Sequence, residues 1–114
     1  MIGKARQTKE VAMLDQASAP DPFRVLPPVT EKQARCLRFI LDYFLENRFY
    51  PTQREVALAM DVRSNTAEMY LQPLEQKGYL QREPGKQRNM RLTRDALERL
   101  RLMGINLEER LAAA

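Results

Sequence analysis

Histidine is absent from the 114-residue sequence, and cysteine occurs once, as Cys36. A single cysteine cannot form an intrachain disulfide, and without histidine it leaves no Cys/His zinc site and no histidine-based catalytic triad. Nothing near Cys36 in the sequence supplies a base, so we expect a packed or half-exposed thiol rather than a nucleophile. We therefore predict a protein without metal or cofactor, and not an enzyme.

Phosphate-binding and membrane-spanning patterns are also absent. Neither GxGxxG nor GxxxxGK[ST] occurs, and no apolar run reaches the length of a membrane span. The first residues include charges but no apolar signal core, which makes secretion unexpected. We expect a cytoplasmic protein that does not bind a membrane.

The residues that are present describe a small basic domain. Hydrophobic residues make up 44% of the chain, enough for one small core, and the formal net charge is +4. A positive net charge favours a polyanionic partner. We assign residues 1–29 to a flexible N-terminal arm, because four prolines interrupt it, although a basic arm could also order on DNA or on a second subunit.

A first helix is predicted from Thr30 to Arg48. Thr30 and Gln33 have the spacing of a capping box, in which each side chain bonds the backbone N–H of the other residue. Apolar residues then recur every three to four positions, which predicts one inward face. They are Ala34, Leu37, Ile40, Leu41, Phe44 and Leu45.

Residues 50–78 predict two short helices joined by a tight turn. Thr52 and Glu55 form a second capping box, and Ser64 or Asn65 can cap the next helix, with Glu68 three residues after Asn65. Gly78 is free to take the left-handed conformation that ends a helix. This order is the helix-turn-helix layout.

Alternation and turn residues predict a β-hairpin directly afterwards. Residues 79–82 and 88–92 are the strands, and the sequence Glu-Pro-Gly-Lys at 83–86 is the turn. Lys86 and Arg88 lie at its tip. We predict a mainly α fold with a small β-hairpin, a winged helix-turn-helix over residues 30–92. Residues 93–114 are predicted to add a C-terminal helical extension.

In these stretches the chain resembles the DNA-binding domain of the LexA repressor family. The matching segments are TEKQARCLRFILDYF, YPTQREVALAMDVRSN, LEQKGYLQRE and MRL. The resemblance covers residues 29–92 and implies a three-helix winged domain that binds operator DNA as a repressor. The chain departs from the family pattern in having Pro73 inside the third helix. In addition, Ser64 and Asn65 are adjacent, whereas the family pattern has one more residue between the serine and the asparagine. The family's self-cleaving serine–lysine domain, which pairs its subunits, is absent from this sequence.

The resemblance implies that the start of the third helix reads base edges in the major groove. Short polar side chains and a carboxylate can match the donors and acceptors presented there. The predicted base contacts are Ser64, Asn65, Thr66, Glu68, Met69 and Tyr70. Phosphate contacts position a protein without reading sequence, and their alternative is a solvated basic face. The predicted phosphate contacts are Thr52, Gln53, Arg54, Arg63, Lys86, Arg88 and Arg91.

The C-terminal extension carries more apolar residues than a small winged core is expected to cover. We predict that it forms a homodimer on palindromic double-stranded DNA, through Leu97, Leu100, Met103, Leu107 and Leu111. The alternative is that this segment folds back on the chain's own first helix. A second function also stays open: a winged helix that binds another protein, such as an accessory factor in plasmid or phage replication or partition.

Overall fold

The computed structural model describes residues 25–113, so most of the predicted N-terminal arm lies outside the described residues. Its elements confirm a mainly α fold with one antiparallel hairpin. No helix in this range is long and apolar enough to cross a membrane. The elements are α1 (Glu31–Asn47), α2 (Gln53–Met60), α3 (Ser64–Gln76), β1 (Leu80–Arg82), β2 (Met90–Leu92), α4 (Arg94–Leu102) and α5 (Leu107–Ala113).

Helix α1 begins with the predicted capping box and supplies much of the core. The backbone N–H of Gln33 donates to Thr30 Oγ1, and the N–H of Thr30 donates to Gln33 Oε1, both at 3.1 Å. The inward face is buried largely as predicted, with Ala34 and Phe44 half-buried at its margins. Its buried apolar residues are Cys36, Leu37, Ile40, Leu41 and Leu45.

The two helices of the helix-turn-helix begin in different ways. In α2, Thr52 and Glu55 form the predicted box. The nitrogen–oxygen distance is 2.8 Å from Thr52 N to Glu55 Oε1 and 3.1 Å from Glu55 N to Thr52 Oγ1. In α3 the capping prediction is wrong, because the N-cap is Arg63 and no side chain accepts a hydrogen bond there. Ser64 already belongs to the helix. Glu68, which would have completed a capping box with Asn65, instead accepts hydrogen bonds from Arg82.

Helix α3 continues through Pro73. A proline inside a helix removes one backbone hydrogen bond and crowds the preceding turn, at a cost of about 3 kcal/mol. Burial offsets this cost on both sides of the proline, because Leu71 and Leu74 are fully buried. The helix ends in a Schellman motif in which the N–H of Gly78 (φ 86°) donates to Glu75 and that of Tyr79 to Leu74.

The hairpin pairs Leu80 with Leu92 and Arg82 with Met90. Because side chains alternate across a strand, Leu80, Met90 and Leu92 enter the core while residues 81 and 91 face solvent. The loop between the strands, residues 83–89, is the tip of the wing. The predicted winged arrangement is therefore present.

The C-terminal helices close the other side of the core. Thr93 caps α4, and Ala96 and Leu100 are fully buried against the rest of the chain. Leu107 at the start of α5 is also buried, and Arg110 of α5 forms an ion pair with Asp42 of α1. The extension thus folds back on the first helix, which was the alternative left open by the sequence.

This packing corrects the placement of the predicted dimerisation residues. Leu100 and Leu107 lie in the chain's own core, and Leu97 and Met103 pack against it half-buried. The i, i+4 spacing of Ala96 and Leu100 turns that face of α4 inward. Of the predicted set, Leu111 is the residue that remains exposed.

Residues 26–28, which we assigned to the arm, are held on the domain by their carbonyl groups. Arg99 Nη2 donates to the carbonyls of residues 26 and 27 at 2.8 and 2.9 Å, and the hydroxyl of Tyr79 donates to the second of these. Lys77 Nζ donates to the carbonyl of residue 28 at 2.7 Å. These four hydrogen bonds attach residues 26–28 to the domain rather than to a separate arm.

Candidate nucleic-acid interface

One side of α3 packs into the core and the opposite side faces solvent. Ala67, Leu71 and Leu74 are fully buried. Four residues at spacings of four, three and four form the exposed stripe of α3, and none of them is charged. They are Asn65, Met69, Gln72 and Gln76. An uncharged, exposed stripe with amide groups can donate and accept hydrogen bonds at once.

The predicted base-contact residues divide by exposure. Ser64, Asn65 and Met69 are exposed, with Met69 at 70%. Thr66 and Tyr70 are half-buried, and Tyr70 packs against the core. Gln72 is also exposed on this stripe but is not among the predicted base contacts, which all lie at the start of the helix. Its place on the same face as Asn65 can be read from the sequence, since Gln72 lies seven residues, or about two turns, beyond Asn65.

A side-chain bridge ties the starts of α2 and α3 together. Gln53 Nε2 donates to the carbonyl of Ser64 at 2.9 Å and to its Oγ at 3.2 Å. A predicted phosphate contact is therefore bonded to a predicted base contact. Thr52 needs correction as a phosphate contact, because it is buried and its hydroxyl caps α2.

Arg82 of β1 binds the inner flank of α3. Its Nη1 and Nη2 each donate to one carboxylate oxygen of Glu68 at 2.7 Å, and its Nε donates to Glu75 at 3.1 Å. The hydrogen bond from Arg82 lowers the pKa of Glu68, and the bond to Glu68 raises the pKa of Arg82. The predicted base-contact carboxylate of Glu68 is thus engaged within the protein.

Arg88 in the wing loop is bound to α2 and to the elbow before it. It donates to both carboxylate oxygens of Glu55, at 2.8 and 3.2 Å, and to the carbonyl of Tyr50 at 3.0 Å. Its guanidinium carbon lies 4.5 Å from the centre of the Phe49 ring, a cation–π distance. Arg88, predicted as a phosphate contact, fixes the wing loop against the helix-turn-helix.

The same contact determines the ionisation of Glu55. The hydrogen bond from Arg88, followed by that from the backbone N–H of Thr52, lowers the pKa of Glu55 to about 2. The carboxylate is therefore charged at every pH at which the domain is expected to work. Burial, in contrast, raises the pKa of the Cys36 thiol to about 11, so this group stays protonated and unreactive.

The other predicted phosphate contacts among the cations differ in how they are paired. Arg54, in the first turn of α2, and Arg63, just before α3, are exposed and have no side-chain partner within residues 25–113. Lys86 is exposed and pairs with Glu83 at 3.2 Å, a contact that water screens strongly. Arg91 is exposed and donates to Gln81 at 3.2 Å.

Known proteins resemble this chain over the same region. The sequence model of the LexA DNA binding domain matches residues 27–89. A LexA repressor from Thermotoga neapolitana is 37% identical over 76 residues, which are 67% of this chain and 39% of that protein. A LexA repressor from Thermotoga maritima is 33% identical over 76 residues, again 67% of this chain and 39% of that protein. One from Anaeromyxobacter dehalogenans (strain 2CP-1) is 41% identical over 73 residues, 63% of this chain and 32% of that protein.

The chain spans less than two fifths of the length of these relatives. The family match begins at the residues held by Tyr79 and Arg99, includes α1 to α3 and β1, and ends in the wing loop, one residue before β2. It covers more than half of the sequence, and the three helices and hairpin have the arrangement that the resemblance implied. The chain belongs to the LexA DNA binding domain family.

Proposed function

We propose that the chain is a double-stranded DNA-binding transcriptional repressor rather than an enzyme. The observation that carries this proposal is the exposed stripe of α3, uncharged and rich in amides, at the position where a winged helix-turn-helix meets the major groove. Membership of the LexA DNA binding domain family supports it, and so do the relatives, which are repressors.

We assign base reading to Asn65, Met69 and Gln72. Asparagine and glutamine amides can bond adenine through two atoms at once, and an apolar side chain such as that of Met69 can contact the thymine methyl group. Ser64, Thr66 and Tyr70 stay as predicted contacts at the start and side of the same surface. Glu68 is reassigned, because Arg82 occupies both of its oxygens.

We assign phosphate contacts to Arg54, Arg63, Lys86 and Arg91. Arg54 follows the Gln53 that bonds Ser64, Arg63 directly precedes α3, and the last two lie on the wing. We therefore place the four against the phosphate backbone around a groove occupied by α3. Gln53 contributes by holding Ser64. Arg88 contributes by fixing the wing.

We also propose that two copies bind a palindromic operator. One winged domain contacts few base pairs, which discriminates poorly against a genome of competing sites. Two-fold pairing of half-sites about one helical turn apart is the usual solution. Leu102 and Leu111, at 64% and 58% exposure, are large apolar residues on the surface of α4 and α5 and are our candidates for the contact.

Selection of bound sequences from random duplex DNA tests the proposed function. We expect one enriched palindromic motif. Binding to it should weaken roughly 10³- to 10⁵-fold between 50 and 200 mM salt if a dimer neutralises about 6–10 phosphates. Absence of any enriched motif, or an affinity that does not respond to salt, would favour the protein-interaction module instead.

A further inference from the structure

The side chain of Arg82, from strand β1 of the wing, bridges α3 across Pro73. Pro73 has no N–H to donate to the carbonyl of Met69, so one backbone hydrogen bond of the helix is missing. Glu68 lies before the proline and Glu75 lies after it. The two glutamates are seven residues apart, close to two helical turns, so they lie on the same side of the helix. Arg82 contacts both.

The three contacts use all three nitrogens of the Arg82 guanidinium group. Two nitrogens bind the two oxygens of Glu68, and the third binds Glu75. The Arg82 side chain is only 14% exposed, so water competes little for these donors. Because a guanidinium is planar and its N–H directions are fixed, it also fixes the two carboxylates relative to each other.

We propose that Arg82 is a positioning residue that keeps the two halves of α3 aligned across Pro73 and sets their orientation relative to the wing. The inference deepens the proposed function and rests on it. The half before the proline carries Asn65 and Met69 on its exposed side. Both halves are anchored in the core, by Leu71 before the proline and by Leu74 after it. Without Arg82, the reading half can tilt at Pro73, and the base-reading side chains then lose their register with the bases.

A combination of substitutions separates this role from a direct contact with DNA. Arg82→Gln and Arg82→Lys are each made in the natural sequence and in a Pro73→Ala background, and affinities are measured for the selected duplex and for an unrelated duplex. In the natural background, both variants should weaken the selected duplex about 5- to 150-fold, the range expected for losing one good base contact, with little change for the unrelated duplex. In the Pro73→Ala background, the loss should shrink to a few-fold or less. Lysine should fail to rescue, because it keeps the charge but lacks the fork.

Three results of the binding measurements would overturn the proposal. Equal losses with and without Pro73 would show that Arg82 acts independently of the proline. Full rescue by lysine, or a salt dependence that falls by about one phosphate for both duplexes, would show that Arg82 supplies only charge. As a matched control, Arg101→Gln removes an arginine that pairs with Glu98 and Glu108 on the surface of the C-terminal helices, and it should change neither affinity.

Hydrogen exchange in the free protein tests the positioning role of Arg82 separately from the proposed DNA binding. Backbone amides of residues 67–72 should exchange faster in Arg82→Gln than in the natural sequence, and less so when Pro73 is alanine. If no duplex is bound, that exchange pattern still supports the positioning role. Unchanged exchange overturns it, whatever the DNA measurements show. Glu75→Gln removes the negative charge of one exposed partner and should give the same pattern at smaller size. It replaces Arg82→Gln as the test if that variant does not fold.

Discussion

The arginines around α3 differ in what their side chains contact. Arg82 and Arg88 bind glutamates of α3 and α2 within the domain, whereas Arg54 and Arg63 have no side-chain partner among residues 25–113. An arginine that is already paired with a carboxylate gives less to a phosphate than an unpaired one, and the Arg82 side chain is in addition only 14% exposed. We therefore expect individual arginine substitutions to have quite different consequences, despite the equal charge.

At α3, substitutions should separate reading of bases from contact with phosphate. Asn65→Ala should cost about 1–3 kcal/mol of binding to the selected duplex and relax the preference at one base position. Arg63→Gln should weaken all duplexes about equally and reduce the salt dependence by about one phosphate, because it removes charge without removing a base contact. Repeating the selection with each variant checks both. An unchanged motif for Asn65→Ala would remove this residue from the reading surface.

The Glu55–Arg88 ion pair should make stability depend on acid pH. Arg88 and the Thr52 N–H lower the pKa of Glu55 from 4.5 to about 2 in the folded protein. Above about pH 4.5 the carboxylate is charged whether folded or unfolded, and the full stabilisation is present. As the pH falls below that value, the unfolded chain takes up the proton first, so the contribution decreases until about pH 2.

Glu55→Gln should therefore remove part of this acid sensitivity, while glutamine keeps the ability to complete the capping box. The measurement is the free energy of unfolding from pH 6 to pH 2, and the difference between the natural sequence and Glu55→Gln should narrow as the pH falls. Glu46→Gln, at an exposed position of α1, is the control and should leave the profile unchanged. A difference that stays constant down to pH 2 would contradict the folded-state pKa of about 2.

At the scale of secondary-structure elements, α4 is part of the winged domain although it lies beyond the family match. Its inward face buries Ala96 and Leu100, and Arg99 holds the carbonyls of residues 26 and 27. Removing the chain after Thr93 would thus expose core residues and release these contacts. A truncated protein would report on folding as much as on association.

Two leucines of α4 give a matched test of this role. Leu100 is fully buried, so Leu100→Ala should lower the free energy of unfolding by about 2–5 kcal/mol, through lost burial and the cavity left behind. Leu102, two positions further, is exposed, and Leu102→Ala should change it by less than about 0.5 kcal/mol at protein concentrations too low for dimerisation. Denaturant unfolding measures both. Similar values for the two would mean that α4 is not packed as described.

At the scale of the whole molecule, burial separates the folded core from the surface proposed for dimerisation. The buried leucines of α4 and α5 stabilise one chain, whereas Leu102 and Leu111 are exposed and are the residues that we propose for contact with a second. The double substitution of both leucines by glutamine should convert a dimer to a monomer in light scattering, with the unfolding of the monomer, measured at low protein concentration, little changed. Leu58→Gln, at an exposed leucine of α2, is the control. A natural protein that is monomeric, or a variant that still dimerises, would contradict the proposed contact.

Local signals in the sequence were enough to predict most of the fold. The capping boxes at Thr30 and Thr52, the inward face of α1 and the ending of α3 at Gly78 each depend on residues within a few positions of one another. Such features are decided by backbone chemistry and periodicity, which are readable along the chain. The resemblance in the same stretches then indicated the winged arrangement.

The contacts that distinguish one charged or apolar residue from another were not readable in this way. Arg82 meets Glu68 from 14 positions away, Arg88 meets Glu55 from 33, and Arg99 meets the carbonyl of Leu26 from 73. Which cations are engaged within the domain, and which leucines of the C-terminal helices are buried, depends on these distant partners. Folding brings them together through the packing of α1, the hairpin and α4, and no spacing along the chain encodes that geometry.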